Sequence, residues 1–389
     1  MKNVITFEPM RIGINTRFLL QSKMEGFGWY TYEVVRRMVA NHPEHEFYFF
    51  FDRPFDSTFV FAHNVTPIVL FPPARHPILF KWWFNYSITR ALKKYKIDVF
   101  YSPDGYCSLR TKVPQIGVIH DINFEHFPSD IPKTARRYLQ KYFPLFAAKA
   151  DHILTVSSYS KMDICKTYHV PESKVTVAWN GASEDFKPLT QDVIAQVRAT
   201  YSRGRPYFIF VGALHPRKNV GRLIQAFEQF AEKNHSIDLL IVGENLWEST
   251  SMRQNKPQTT IAERIYFTGH VSQNVLTQLM GAAFALSYVP YFEGFGIPLV
   301  EAMNCGIPII SGNLTSLPEV VGDAAILVDP YSVSDISKAM TQLAEDPSYY
   351  QHLAQKSISR SRLFSWQHTA YVTWNTIEQI YLKKFPSKQ

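Results

Sequence analysis

Two carboxylates with seven residues between them are the strongest candidates for chemistry in this sequence. Glu293 follows a short apolar run, residues 282–289, which predicts a buried strand. Glu301 lies in a segment whose apolar residues recur at helical spacing and which ends at Gly306. One carboxylate is therefore expected on a strand-to-helix loop and the other about two turns into the helix. Carboxylate oxygens accept hydrogen bonds from hydroxyl groups, so the pair suits a polyhydroxylated ligand.

The three residues after Glu293 suit the binding of an anion. Gly294 and Gly296, which flank Phe295, let the backbone approach a ligand and turn its N–H groups outward. Free N–H groups at a helix start attract anions, so the stretch suits a ligand with sugar at one end and phosphate at the other. A nucleotide sugar is such a ligand. The alternative interpretation is a loop whose carboxylates are solvated or cap the helix, and this stretch alone leaves both open.

Two adjacent cations, Arg217 and Lys218, lie between the apolar run 207–212 and the helical pattern 220–233. Cations at a helix start are unfavourable against the helix dipole unless an anion binds there. Arginine binds phosphate through its planar fork and lysine as a point charge, so the pair predicts a diphosphate site. The alternative is a solvated basic turn. The pair does not belong to a Walker loop, because the GxxxxGK[ST] pattern is absent from the sequence.

Two further candidates lie in the first half of the chain. Gly28 follows the first predicted strand, where a glycine permits close approach of a ligand to the backbone. His120 ends the apolar run 113–119, and in α/β sheets the crevice beyond the carboxyl ends of the strands binds ligands. From there His120 could donate to a sugar hydroxyl or lie near the reacting carbon. An isolated histidine is more often hydrogen-bonded locally, and its position favours the functional interpretation.

The elements that must position these residues alternate along the whole chain. Apolar strand patterns alternate with helical patterns, which predicts parallel sheets covered by helices on both faces. The chain has 389 residues, which is long for one core and suggests two domains. The predicted linker is 183–205, between an N-terminal domain, 1–188, and a C-terminal domain, 203–364. A C-terminal helix within 365–389 is expected to cross back to the first domain. The expected fold is α/β, with two Rossmann-like doubly wound domains facing across a cleft.

Composition and spacing exclude several classes of function. The formal net charge of +8 at pH 7 is compatible with nucleic acid, anionic lipid or phosphorylated small molecules. The sequence carries no recognisable nucleic-acid-binding module, so no nucleic-acid partner is predicted. It has no Asp-x-Asp pair and no His/Cys cluster with ligand spacing, so no metal and no cofactor are predicted. Charge on a leaving diphosphate must then be offset by the two adjacent cations and by backbone amides.

No apolar run approaches the roughly 20 residues that span a bilayer, and residues 1–11 lack the apolar core of a signal peptide. The protein is therefore expected in the cytoplasm. Residues 75–96 combine aromatic and basic side chains, which predicts contact with the inner face of the membrane. The alternative is a core helix whose charged residues are solvated. The aromatic and basic residues in question are Phe80, Trp82, Trp83, Phe84 and Tyr86, with Lys81, Arg90, Lys93, Lys94 and Lys96.

In these residues and their spacing, the chain resembles the family 4 retaining glycosyltransferases, which have the GT-B fold. The likeness covers nearly the whole chain. Within the family, its sequence motifs are most similar to those of mannosyl- and rhamnosyl-type transferases of surface polysaccharide synthesis. It is carried by the spacing of Glu293 and Glu301 and by the stretches GVIHD, VGALHPRKNVGRLIQAF and SGNLTSLPEVVGDAAILVDP.

The resemblance implies a role for each candidate around the two carboxylates. Glu293 would contact the hydroxyls of the donor sugar as a catalytic residue, and Glu301 would accept hydrogen bonds from the ribose hydroxyls. The amides of Gly294, Phe295 and Gly296 would hold sugar and phosphate.

The resemblance also implies roles for the basic residues and for the first domain. Lys218 with Arg217 would bind the diphosphate, and Gly28 would approach it from the other domain. His120 would face the donor sugar and its anomeric carbon. Ala213 stands where many relatives carry a second phosphate-binding arginine, which makes Arg217 the expected partner of Lys218.

The implied reaction transfers a hexose, with mannose favoured, from a GDP-, UDP- or dTDP-linked donor and retains the anomeric configuration. The implied acceptor is a glycan or a lipid-linked molecule of surface polysaccharide synthesis. One alternative is another GT-B-type enzyme, such as a sugar phosphorylase or a nucleotide-sugar epimerase. A second is a glycosidase that uses the two carboxylates as its catalytic pair, which leaves the adjacent cations without a role.

Overall fold

The computed structural model describes residues 9–21, 24, 26–74, 76–244 and 260–386. The chain forms two compact units. The first comprises Met1–Asn180 and Trp366–Gln389, and the second comprises Gly181–Ser365. Among the described residues, each unit is built on one parallel sheet, so the predicted pair of Rossmann-like α/β domains is confirmed.

The sheet of the first unit is parallel throughout its described strands, in the order β3-β2-β1-β4-β5-β6-β7. The strands are β1 Arg11–Asn15, β2 Glu46–Phe51, β3 Val65–Val69, β4 Val99–Ser102, β5 Gln115–Val118, β6 His152–Thr155 and β7 Val175–Val177. Several are shorter than their apolar runs. The run 113–119 contains β5 only from Gln115 to Val118, so His120 lies two residues beyond the strand.

Helices follow the strands as the alternating pattern predicted. They are α1 Gly26–Asn41, α2 Pro77–Trp82, α3 Thr89–Lys94, α4 Asn123–His126, α5 Lys133–Lys149 and α6 Ser158–Tyr168, and the C-terminal helix is Trp366–Lys384. The C-terminal helix lies in the first unit, where Trp374 stacks on His42 with ring centroids 3.6 Å apart. Near its start, the hydroxyl of Thr369 donates to the carbonyl of Trp179 at 2.5 Å.

The aromatic segment 75–96 differs from the single helix that its composition suggested. A π-helical turn, Trp83–Ile88, separates α2 from α3. Such a turn closes i→i+5 hydrogen bonds and inserts one residue into the helical path. Trp83 and Phe84 are fully buried, whereas Trp82 and Tyr86 remain exposed. The segment therefore has a core face and a separate aromatic surface, and only part of the predicted aromatic set can meet a partner.

The second unit has its own parallel sheet, in the order β10-β9-β8-β11-β12-β13 within the described residues. Its strands are β8 Tyr207–Val211, β9 Asp238–Val242, β10 Ile265–Gly269, β11 Ala285–Tyr288, β12 Ile309–Gly312 and β13 Ile326–Val328. Its helices are α7 Gln191–Ser202, α8 Val220–Ala231, α9 Gln273–Ala282, α10 Ile297–Cys305, α11 Leu317–Val321, α12 Val333–Glu345 and α13 Pro347–Ser361. Every residue of β8, β9 and β11 is buried, as expected for parallel strands covered on both faces.

The predicted linker, 183–205, is corrected by the structure. Most of it is the helix α7, which belongs to the second unit, and that unit begins at Gly181. Arg198 on α7 donates from Nε to the carbonyl of Ala282 at 2.9 Å, and Val197 is buried. The proline, glycine and polar residues at its ends suggested a loop, whereas these contacts hold the segment against the second unit.

Candidate functional site

The two predicted cations lie on a short turn between β8 and α8. Lys218 is buried, which contradicts the alternative of a solvated basic turn. The next residue, Asn219, has a φ of +60° and donates from Nδ2 to the carbonyls of Val289 and Pro330 at 2.9 and 2.6 Å. Those carbonyls follow β11 and β13, so the side chain of Asn219 ties the basic turn to two other loops of the second unit.

The structure brings Arg217, Lys218 and Glu293 into direct contact. One carboxylate oxygen of Glu293, Oε2, accepts hydrogen bonds from Lys218 Nζ at 2.5 Å and from Arg217 Nη1 at 2.8 Å. The hydroxyl of Tyr288 donates to the same oxygen at 2.9 Å. The Lys218 and Glu293 side chains are 11% and 12% exposed, so this is a partly desolvated charge cluster.

The charge state of Glu293 follows from these contacts. Burial by itself would raise the pKa of the carboxyl group, but Lys218, Arg217 and the hydrogen bond from Tyr288 favour the ionised form. The net effect lowers the pKa of Glu293 to about 2. Glu293 is therefore a carboxylate at neutral pH and can accept hydrogen bonds, but it cannot donate a proton.

Glu301 has a very different environment, although it lies only eight positions further on. Glu301 lies on α10 and is 9% exposed. Within the described part of the chain, no hydrogen bond or ion pair involves its carboxyl group. Burial alone raises the pKa of Glu301 to about 8. At pH 7 this group is therefore mostly a neutral acid, and a ligand that donates hydroxyl hydrogens would favour its ionisation.

The glycine loop between the carboxylates has the geometry of a helix start. Gly296 precedes α10 with a φ of +90°, and a Cβ there would lie 3.0 Å from Leu299 Cδ1. Phe295 is buried, with its ring centroid 5.7 Å from that of Phe364, and Gly294 is also buried. The predicted contacts of these three amides with sugar and phosphate stay predictions, because the loop geometry is compatible with them but does not test them.

His120 lies in the first unit, held by its neighbours. Its Nε2 is 2.8 Å from the carbonyl of Pro103, and the rings of Phe27 and Tyr30 approach it edge-on with centroids 4.8 and 4.7 Å away. Burial lowers the pKa of His120, which favours the neutral ring. Because a carbonyl only accepts, Nε2 carries the hydrogen and Nδ1 is an acceptor. The ring can therefore accept from a sugar hydroxyl through Nδ1, whereas the sequence suggested donation.

Gly28, also in the first unit, has a structural reason to be glycine. It lies in the first turn of α1, and a Cβ there would be 2.8 Å from the carbonyl oxygen of Phe18. The chain itself therefore uses the space that the missing side chain leaves. Its predicted approach to a diphosphate stays a prediction.

A buried ion pair near His120 was not predicted from the sequence. Arg17 Nε lies 2.6 Å from Asp104 Oδ2, and Asn15 and Ser102 donate to Asp104 Oδ1 at 2.9 and 3.0 Å. These residues lie at or just after the carboxyl ends of β1 and β4, a position that could have marked them. Asp104 directly follows Pro103, so the ion pair helps to hold the Pro103 carbonyl, which accepts the hydrogen bond from His120 Nε2. Aromatic rings surround the Arg17 guanidinium at 4.3 to 5.4 Å, from Phe18, Phe80, Phe84 and Tyr106.

Two smaller groups at the carboxylate loop were also missed. Tyr288 ends β11 and contacts both Lys218 and Glu293. Thr315 Oγ1 accepts from the backbone N–H of Glu293 at 3.2 Å, and Ser316 Oγ donates to its carbonyl at 2.8 Å. Thr315 and Ser316 belong to the SGNLTSLPE stretch, so the motif was noticed while its function as a support for Glu293 was not.

No group of three side chains that could bind a metal ion together occurs within the described ranges.

Comparisons with known proteins agree with this geometry. The model of the glycosyl transferases group 1 matches residues 196–360, and that of Glycosyltransferase Family 4 matches residues 24–186. O-antigen chain mannosyltransferase B of Escherichia coli is 28% identical over 387 residues, which cover 96% of this chain and 99% of that protein. O-antigen chain mannosyltransferase RfbU of Salmonella typhimurium is 29% identical over 270 residues, covering 68% and 71%.

Solved structures show the same fold. Anabaena HepE in complex with UDP and glucose superposes with a TM-score of 0.73 at 17% identity, covering 95% of this chain and 99% of that one. The two family models together account for most of both units, and the charge cluster lies at the motif that carried the resemblance. The chain is a glycosyltransferase of family 4 with the GT-B fold.

Proposed function

We propose that this enzyme transfers a hexose, with mannose favoured, from a nucleotide diphosphate sugar to a glycan or lipid-linked acceptor of surface polysaccharide synthesis. The observation that carries the donor class is the contact of Arg217 and Lys218 with Glu293, because it joins anion-binding cations to a hydroxyl-binding carboxylate. The two O-antigen mannosyltransferases among its relatives support the choice of sugar and pathway class.

In the proposed reaction, the cations bind the diphosphate and the carboxylates and the histidine accept hydrogen bonds. Lys218 and Arg217 offset the charge that develops on the leaving diphosphate, and no metal is required for this. Glu293 accepts hydrogen bonds from sugar hydroxyls, and Glu301 accepts them from the ribose. His120 accepts from a donor-sugar hydroxyl through Nδ1, and the backbone at Gly28, in the first turn of α1, approaches the diphosphate. The anomeric configuration is retained.

We expect a sugar nucleotide to raise the melting temperature of the protein in a screen of GDP-, UDP- and dTDP-linked sugars, because a ligand that binds only the folded state stabilises it. The stabilising donor should then support transfer to an isolated glycan or polyprenyl-linked acceptor, and the rate should survive EDTA. Product anomers can be assigned by NMR. A protein that no sugar nucleotide stabilises would contradict the proposal, and loss of activity in EDTA would contradict its metal-independent part.

We further propose that the enzyme works at the inner face of the membrane. No helix in the described ranges is long and apolar enough to cross a bilayer, so contact would be through the surface. The surface in question, here called the aromatic patch, consists of Phe71, Trp82 and Tyr86, which are 81%, 52% and 39% exposed. Trp82 stacks on Tyr86 at 4.6 Å, and the hydroxyl of Ser87 donates to the carbonyl of Phe71 at 2.6 Å.

Basic residues accompany the aromatic patch, one in contact with it and four on the same segment of the chain. Arg110 lies 4.4 Å over the ring of Tyr86, and Lys81, Arg90, Lys93 and Lys94 are exposed on the same segment. Exposed aromatic rings flanked by cations suit the interface of an anionic membrane. This patch replaces the sequence-predicted set, since Trp83 and Phe84 belong to the core and Phe71 was not included.

We expect the protein to sediment with vesicles that contain anionic phospholipid at low salt, and the double variant Phe71→Ser, Trp82→Ser to lose most of that binding. Each lost ring removes apolar area from the interface, so a reduction of about tenfold is expected. The matched control is Tyr371→Ser, which removes another exposed aromatic ring from the same unit. Equal sedimentation of the double variant and the wild type would contradict the patch assignment.

A further inference from the structure

In the second unit, the carboxylate of Glu293 contacts both cations that are proposed to bind the diphosphate. Lys218 Nζ and Arg217 Nη1 both donate to Oε2 of this carboxylate, at 2.5 and 2.8 Å. A diphosphate that approaches these cations would therefore meet an anion already in contact with both. If the carboxylate stays in place, it repels the diphosphate. For the diphosphate to bind both cations, the carboxylate must turn away from them.

The side chain of Glu293 is the part that can move. Its backbone N–H donates to Thr315 Oγ1 at 3.2 Å, and its carbonyl accepts from Ser316 Oγ at 2.8 Å, so the main chain is anchored at both groups. Lys218 has a second oxygen to hold it, because its Nζ also donates to the Tyr288 hydroxyl at 2.5 Å. Displacement of the carboxylate would thus leave the lysine in position for phosphate.

A displaced carboxylate needs new hydrogen-bond donors, because a partly buried charge without a partner is costly. An intact sugar nucleotide brings them, since its sugar hydroxyls lie directly beyond the diphosphate. A nucleoside diphosphate without sugar brings only further negative charge. The same carboxylate therefore acts differently towards the donor and towards the nucleotide that remains after transfer.

We infer that Glu293 is a specificity-determining residue that discriminates the sugar-bearing donor from the sugar-free nucleoside diphosphate, and so favours release of the spent nucleotide. This inference rests on the proposed function, because it takes Arg217 and Lys218 as the diphosphate site. It adds a second role for Glu293 besides contact with sugar hydroxyls. A role in sugar contact alone predicts no effect of Glu293 on a ligand without sugar.

The test is Glu293→Gln, measured by calorimetry with the nucleoside diphosphate whose sugar derivative stabilises the wild type. The variant removes the competing charge and keeps the size of the side chain. We therefore expect it to bind the sugar-free nucleotide about tenfold more tightly than the wild type. A change of this size corresponds to one charge-assisted hydrogen bond. Affinity for the intact sugar nucleotide should stay the same or fall. The ratio of the two dissociation constants is thus the decisive quantity.

The matched control is Glu345→Gln, at the exposed end of α12, which changes the net charge by the same amount away from these contacts. It should leave both dissociation constants unchanged. Glu293→Ala serves as a second folded variant without the carboxylate and should tighten the sugar-free nucleotide as well.

Unchanged or weaker binding of the sugar-free nucleotide by both Glu293 variants would overturn the inference while leaving the proposed function intact. A tighter complex with Glu345→Gln to the same extent would also overturn it, because the effect would then be one of net charge. Absence of any nucleotide binding by the wild type would instead overturn the proposed function.

Discussion

Lys218→Ala is expected to weaken nucleoside diphosphate binding by about 100-fold or more, the largest effect of any single substitution in the second unit. The lysine is 11% exposed and hydrogen-bonds to Glu293 and Tyr288, so its ammonium group is already fixed before the ligand arrives. Truncating one partner of a desolvated charge pair costs about 2–5 kcal/mol, and each 1.4 kcal/mol is about tenfold in affinity. Isothermal titration calorimetry measures the loss directly.

The control for Lys218→Ala is Lys338→Ala on α12. Lys338 is 77% exposed and lies 3.8 Å from Asp335, so its removal should leave nucleotide affinity within experimental error. If Lys218→Ala and Lys338→Ala bound the nucleotide equally well, the assignment of the basic turn to the diphosphate would be refuted. A melting temperature for each variant separates loss of the site from loss of the fold.

Glu301→Gln is expected to make the unliganded protein more stable at pH 9 but not at pH 5. The folded pKa of Glu301 is raised to about 8 from an ordinary 4.5, so between these values the folded state holds a proton that the unfolded state has released. Stability contributed by this proton is complete below pH 4.5 and is lost as the pH rises through 8. The shift corresponds to an order of 3–5 kcal/mol, and glutamine mimics the neutral form at every pH.

Thermal unfolding at pH 5, 7 and 9 checks this result, because every other titrating group is common to both proteins and cancels in the difference. The same substitution should weaken nucleotide binding, since the amide keeps only one acceptor oxygen, and no negative charge, for the ribose hydroxyls. Wild-type affinity should rise from pH 6 towards pH 9 relative to the variant, because the ligand favours the ionised carboxylate. Equal melting temperatures at pH 9 would show that ionisation of Glu301 carries no penalty in the folded protein.

Much of the architecture could be predicted from local patterns. Continuous apolar runs such as Leu239–Val242 in β9 are typical of strands buried on both faces, and the observed parallel strands are of this kind. The helical patterns that alternate with these runs likewise correspond to helices such as α5 and α6. Gly306 marks the end of α10 correctly, because a glycine just past a helix adopts the left-handed conformation that ends it.

The aromatic segment shows where local patterns were insufficient. Its composition indicated a basic aromatic helix, but the segment contains a π-helical turn at Trp83–Ile88, and Trp83 and Phe84 join a core cluster with Phe50 and Phe100 of the first unit's sheet. The side chains that face solvent, and the addition of Phe71 to them, follow from that packing. The buried pair of Arg17 and Asp104 likewise joins residues 87 positions apart.

The sequence by itself determined that Arg217 and Lys218 follow β8 and that Glu293 follows β11, because strand and helix patterns extend over neighbouring residues. Only the tertiary structure decided that these groups meet. β8 and β11 are adjacent in the sheet, which brings side chains 75 and 76 positions apart within hydrogen-bonding distance. The same packing leaves Glu301 without charged partners, so two carboxylates eight positions apart in the sequence acquire opposite pKa shifts. Strand order and desolvation arise from contacts distant in the chain, and periodicity does not encode them.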